Sequence, residues 1–239
     1  MAEFIINPQA SVSLFHLGEE KEPLLLIDNV LAFPDEAVAL AAEGVTYGPA
    51  GAAYPGLRAA LPPAYNLRLH AALQPLVAQV FDIEPEREMI LTSSFSMITE
   101  PANRLKHNQR VPHVDQHGGD DLALVHYLCA PSFGGTAFFR HRATGLQAIR
   151  EGHEAQYSET LNREMNSRLL PTRFPDADHP LFEQIGVVEA AFNRLVLYRS
   201  CILHSPAIAP DAHFSPDPRK GRLTITAFLS PAETGANAA

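Results

Sequence analysis

Beyond Pro85 the chain breaks into short runs of β-branched and aromatic residues, closely spaced and divided by turn signals. Ile90–Thr99, Val111–Asp115, Leu122–Cys129, Thr136–Arg140, Gly186–Ala191, Leu195–Ser200 and Leu223–Leu229 each read as a strand, because such residues suit a pleated, half-buried surface. The turn Pro131-Ser-Phe-Gly-Gly135 separates two of them. The last run alternates most cleanly. Leu223, Ile225, Ala227 and Leu229 fall on one face, and Arg222, Thr224, Thr226 and Phe228 on the other. So many short strands leave few architectures open. The pattern predicts a mainly β fold with helical support, a jelly-roll sandwich or barrel.

Helical composition gathers at the N-terminus and in one insertion. Asp35–Glu43 reads as a helix with Pro34 at its start, acidic Asp35 and Glu36 in its first turn and Gly44 at its end. Leu67–Phe81 carries Leu69, Leu73, Leu76, Val77 and Val80 at helical spacing, and Pro75 predicts a kink or two shorter pieces. Leu24–Ile27 reads as a short strand and Tyr47–Pro63 as a loop. The insertion spans 145–180: Gly145–Leu170 is helical, with Arg150/Glu154 and Glu159/Arg163 able to pair across a turn, and Pro171–Pro180 is a loop. The 239 residues fit a single unit, with 1–89 as a supporting segment and 90–230 as the jelly roll. Pro231–Ala239 is small and polar and is expected to fray.

Composition narrows the function. Eighteen basic against 27 acidic residues give a formal charge of -9, which argues against a partner bound through phosphate neutralisation. Cys129 and Cys201 are too few for a disulfide framework or a zinc ribbon, and a reduced, cytoplasmic setting is expected. Met1–Gln9 lacks the basic start of a signal peptide. Leu24–Phe33, broken by Asp28 and Asn29, is too short to span a bilayer. The expected partner is therefore a small molecule, an amino acid or a protein side chain. A homodimer is open.

The chemistry sits in four residues. His113-Val114-Asp115 places an imidazole and a carboxylate on one face of an extended segment, as adjacent metal ligands must be. Alone it is a weak signal. His204 closes the run Asn193–His204, 89 positions after Asp115, and Arg222 opens the alternating strand beyond it. Two histidines and one carboxylate form a facial triad that leaves three positions open on a non-heme iron. The fixed fork of an arginine suits a carboxylate gripped by two parallel hydrogen bonds.

On these residues the chain resembles the iron(II)- and 2-oxoglutarate-dependent dioxygenase superfamily, most closely its prolyl-4-hydroxylase-like branch, over residues 90 to 230. Three features carry the likeness: Val111-Pro-His113-Val-Asp115 before the strand Leu122–Cys129; Gly134-Gly135-Thr136-Ala-Phe138; and Leu195-Val-Leu-Tyr198 running to His204, followed by Gly221-Arg222-Leu-Thr-Ile-Thr. The resemblance implies a double-stranded β-helix, the cupin-like jelly roll. It implies Fe(II) on His113, Asp115 and His204, with 2-oxoglutarate held by Arg222 and O2 as co-substrate. It implies succinate and CO2 as products alongside hydroxylation of a substrate C–H. Arg222 lies 18 positions after His204, farther than is usual in that family, so Ala207–Lys220 reads as an inserted loop. The family's tyrosine on the strand before the triad has no match in Ser93–Thr99.

Other residues carry two readings each. His117 is a rival ligand if the strand runs on, although Gly118-Gly119 argues that it ends. One of His126 and Tyr127 must face the interior, and Tyr127 is the candidate second contact to 2-oxoglutarate. Arg140, in a basic cluster with His141 and Arg142, is a candidate substrate contact or a solvated turn. Tyr54 and Arg58 are candidate substrate residues on a Gly- and Pro-rich loop. That loop and the helical insertion are the two candidate lids. Two rival functions stay open: a cupin-like metalloenzyme that does not use 2-oxoglutarate, and a non-catalytic metal-binding or sensing module.

Overall fold

In the computed structural model, which describes residues 2–51, 54–209 and 211–232, the chain forms eleven strands and three α-helices. They are β1 (Ser11–Leu17), β2 (Glu22–Asp28), α1 (Pro34–Glu43), β3 (Gly48–Pro49), β4 (Gly56–Ala60), α2 (Pro63–Phe81), β5 (Met89–Ile98), β6 (Leu122–Tyr127), β7 (Gly135–His141), α3 (Glu154–Ser167), β8 (Phe182–Val188), β9 (Arg194–Arg199), β10 (His204–Ala207) and β11 (Arg222–Pro231). The major sheet has the order β1-β2-β9-β6-β11-β5-β4-β3 and the minor sheet β10-β7-β8, with every pairing antiparallel. This is the expected mainly β jelly roll. The N-terminal segment is part of it, since β1 to β4 extend both ends of the major sheet.

Strict alternation splits the major sheet into two faces. Leu122 and Leu124 of β6, Leu195 and Leu197 of β9 and the odd-numbered apolar residues of β11 pack in one core with α1 and α2. α2 meets them with Tyr65, Leu69, Leu73, Val77 and Phe81, each one turn after the last. Ala123, Tyr127, Val196 and Tyr198 face the other way and meet Phe138 of the minor sheet. Phe139 and Phe182 on the outer face of the minor sheet pack with Tyr157 of α3. The layers therefore run helices, major sheet, minor sheet, helix.

Several expectations are corrected. α2 is one helix of 19 residues and not two shorter pieces: Pro75 lies on its solvent side, where the carbonyl left without a partner is open to solvent. The Tyr47–Pro63 loop contains β3 and β4, whose backbone pairing continues the sheet past β5. β1 was not foreseen; its exposed edge position leaves it without the half-buried alternation that marks a strand. Val111–Asp115 is not a strand but a single bridge, Pro112 having no N–H to offer a ladder. In the insertion only Glu154–Ser167 is α-helical, and Arg150 reaches back to Glu20 and Glu22 instead of pairing with Glu154. Glu159 and Arg163 do pair, at 3.0 Å. Cys129 and Cys201 are both buried and free. No described helix is long and apolar enough to cross a membrane. Residues 233–239 of the tail expected to fray lie outside the described residues.

Candidate metal centre

His113 and His204 are brought together by their own backbones. His113 N–H donates to the His204 carbonyl and His204 N–H to the His113 carbonyl, both at 2.9 Å. Residues exchanging both bonds project side chains from the same face, and the two rings lie 4.4 Å apart between centroids. Asp115 N–H donates to the Ser200 carbonyl at 2.9 Å, which seats the carboxylate beside both rings. His204 opens β10 and does not close β9, as the sequence pattern had suggested; the chain turns through Ser200–Leu203 between the two strands.

The donor atoms converge. Nε2 of His204 lies 3.3 Å from one Asp115 oxygen and Nε2 of His113 lies 3.8 Å from the other. One ligating atom from each of the three residues falls within 4.8 Å of the others. Nδ1 of His204 donates to the Ile202 carbonyl at 2.8 Å, so Nε2 keeps its lone pair for a cation. Burial pushes the Asp115 carboxyl up, but His204, His113 and Arg58 together bring it below the ordinary carboxylate range. The His113 side chain is about half exposed, open to a cavity; desolvation there first and His204 second push it down, against the pull of Asp115. Burial also pushes His204 down, and Asp115 outweighs it. This two-histidine, one-carboxylate set fits a first-row divalent metal with positions left open on the cavity side.

That cavity has a volume of about 600 Å³. Arg222 and Thr136 form one part of its wall, with Tyr54 and Arg58 from the N-terminal segment; Tyr157, Leu161 and Met165 of α3, with Phe174, form another. Arg222 is buried, donates through Nη2 to the Gly135 carbonyl at 2.8 Å, and stands 5.6 Å from the Tyr127 ring centroid. Its Nε is buried without a partner. A buried donor left unpaired is unfavourable by about 1–3 kcal/mol, so the site is arranged for an acceptor. The Gly134-Gly135 pair has a physical reason. Gly134 has φ +76°, and a Cβ on Gly135 would run into the Val188 carbonyl, so only glycines let β7 start where its carbonyl can hold Arg222.

The remaining candidates fall in different places. Tyr127 faces the interior and His126 faces α2, but the Tyr127 hydroxyl is hydrogen-bonded to Thr136 Oγ1 at 2.6 Å and does not reach the cavity wall; it backs Arg222. Tyr54 and Arg58 do line the cavity, with the Arg58 guanidinium 4.9 Å from the Tyr54 ring centroid. Arg140 does not: it is taken up by Glu183 and Glu19. His117 lies in the wall with Nδ1 2.8 Å from the Ile149 carbonyl and is not part of the triad cluster. Tyr198 is buried in the core between the sheets and packs edge-on against His204 at 4.9 Å. Tyr157, Leu161 and Met165 recur every four residues and mark one apolar face on a polar helix, but that spacing alone does not say whether the face meets a core or a cavity.

Solved structures resembling this chain include the α-ketoglutarate-dependent carbocyclase SnoK from nogalamycin biosynthesis, 15% identical, with 89% of this chain and 81% of that one covered at a TM-score of 0.50. They also include HygX from Streptomyces hygroscopicus, crystallised with nickel and 2-oxoglutarate, 15% identical, with 90% and 85% covered at a TM-score of 0.48. At such identity the likeness to SnoK is one of fold. No curated protein sequence matches the chain. A family profile matches residues 8–229, nearly the whole chain, and by that match the protein belongs to the family of unknown function DUF6445.

Proposed function

We propose that this protein is an iron(II)- and 2-oxoglutarate-dependent oxygenase that hydroxylates a C–H bond of a small organic substrate. One observation carries the reading. A two-histidine, one-carboxylate cluster and a buried arginine with an unpartnered Nε share the wall of a single cavity. In this reading His113, Asp115 and His204 hold the metal and Arg222 takes the distal carboxylate of 2-oxoglutarate. Bound iron and 2-oxoglutarate would supply the oxidising power of O2, with succinate and CO2 as co-products.

The chain's own residues do the rest. The Ile202 carbonyl holds the His204 ring in one tautomer. Tyr127 and the Gly135 carbonyl hold the Arg222 fork still, so little side-chain entropy is lost when a carboxylate arrives. Val111, Leu161, Met165, Phe174 and Phe228 give the cavity an apolar lining that favours an organic substrate over bulk water. Within the superfamily, the Gly-Gly-Thr motif resembles the prolyl-4-hydroxylase-like branch, while the long His204–Arg222 connection departs from it.

Metal content tests the cluster. Purified wild-type protein loaded with iron(II) and washed with chelator is expected to keep close to one equivalent, and His113→Ala and Asp115→Ala to lose most of it. Wild type should also convert 2-oxoglutarate to succinate slowly without added substrate. Full iron retention in both variants would move the metal elsewhere and overturn the assignment.

A further inference from the structure

A second arginine, Arg58, faces the same cavity; its charge acts on Asp115, but it makes no ion pair with any described residue. Arg58 stands opposite Ser96 on β5, and Ser96 stands opposite Thr224 on β11. Residues directly opposite share a face, so Arg58 lies on the face that carries Arg222, two strands away and one pleat along. Several other arginines of this acidic chain are matched to carboxylates, among them Arg140 to Glu183, Arg150 to Glu20 and Arg194 to Asp28. Arg58 makes no hydrogen bond or ion pair with a described residue, and its Nε is buried without a partner. Arg58 is on β4 and its guanidinium is laid over the ring of Tyr54, which precedes the strand, and this fixes its direction.

The charges in the cavity do not balance. Asp115 is the single acidic side chain among the described residues that line it. On the oxygenase reading, two arginines and a divalent metal against one carboxylate leave three positive charges. The 2-oxoglutarate dianion cancels two of them, and one remains. We propose that Arg58 receives a carboxylate of the substrate, so that the protein acts on an organic acid whose apolar body lies along the α3 wall. This rests on the assignment of Arg222 to 2-oxoglutarate. A carboxylate is preferred to a phosphate because one guanidinium edge satisfies a monoanion, and a phosphate dianion calls for further donors.

The test uses the iron(II)- and 2-oxoglutarate-loaded protein, kept anaerobic so that nothing turns over. Calorimetry would follow binding of a series of ω-phenylalkanoic acids, each paired with its neutral amide, with phenyl phosphate as a third arm. The visible iron-to-2-oxoglutarate band would be recorded in the same samples. The best acid should bind at least about tenfold more tightly than its amide, the worth of a charged hydrogen-bonded pair. That preference should vanish in Arg58→Gln and return in part in Arg58→Lys, with the band persisting throughout. Equal binding of acids and amides, or no binding by any acid, would overturn the proposal. So would tighter binding of phenyl phosphate, or loss of the band in Arg58→Gln, which would give Arg58 to the co-substrate. Absence of the band in iron-loaded wild type would overturn the oxygenase reading itself, and the acid-to-amide ratio would still judge Arg58.

Discussion

His204, His113 and Arg222 are each set by something other than themselves. His204 is aimed by the Ile202 carbonyl and packed by Tyr198; His113 is aimed by its backbone exchange with His204; Arg222 is aimed by the Gly135 carbonyl. Gly135→Ala should therefore act on Arg222 at a distance. The added Cβ has to displace the Val188 backbone, so we expect a loss of about 1–3 kcal/mol in urea unfolding and a weaker affinity for 2-oxoglutarate with metal content retained. Unchanged affinity would detach the glycine from the arginine. Asp115→Asn keeps the shape and removes the charge; it should lower iron affinity by at least about tenfold, read by competition with a chelator. The spacing His113-x-Asp115 and the pair His204 and Arg222 were legible because metal and carboxylate chemistry needs those side chains and few others. The role of Tyr127 was not. Strand parity shows that one of two neighbours points inward, but not that Thr136 meets its hydroxyl first.

At the scale of elements, α2 and β6 are tied by a polar knot inside an apolar layer. Nδ1 of His126 lies 3.1 Å from the Tyr65 hydroxyl and Nε2 lies 3.1 Å from the Asn193 side-chain oxygen, which also accepts from Leu31 N–H. Burial pushes His126 from 6.5 down to about 4, against the pull of Asn193. The unfolded chain then binds the proton more readily than the folded one. The neutral-histidine contribution is intact above pH 6.5 and is lost as pH falls through 4, by about 3 kcal/mol in all. Urea midpoints from pH 7 to 4 should fall more steeply for wild type than for His126→Gln; equal slopes would refute this. Leu73, at the centre of the α2 stripe, should cost about 2–5 kcal/mol when cut to alanine. The stripe was readable from its period. That the helix would run unbroken through Pro75 was not, because the period does not say which side of a helix meets water until the sheet is in place.

At the scale of the whole molecule, the cavity is assembled from segments far apart in the sequence: β4 and its preceding loop, the triad segment, the α3 insertion and β11. The jelly roll was legible as a rhythm of short strands. The long-range pairing that lays β4 against β5, and so brings Arg58 in beside the metal cluster, has no signature in local pattern. A ligand that touches several of these segments binds only the folded form. Metal and 2-oxoglutarate together should therefore raise the midpoint of thermal unfolding more than metal alone, and the increment should shrink in Arg222→Gln.

The most direct test of the central claim is an anaerobic titration of the iron(II)-loaded protein with 2-oxoglutarate, followed by visible absorption, with Arg222→Ala alongside. Wild type should give a saturable iron-to-2-oxoglutarate charge-transfer band, and the variant a titration shifted at least about tenfold to higher concentration. A protein that holds iron on His113, Asp115 and His204 yet gives no band would contradict that claim, and would leave a metalloenzyme of another class with Arg222 as part of its framework.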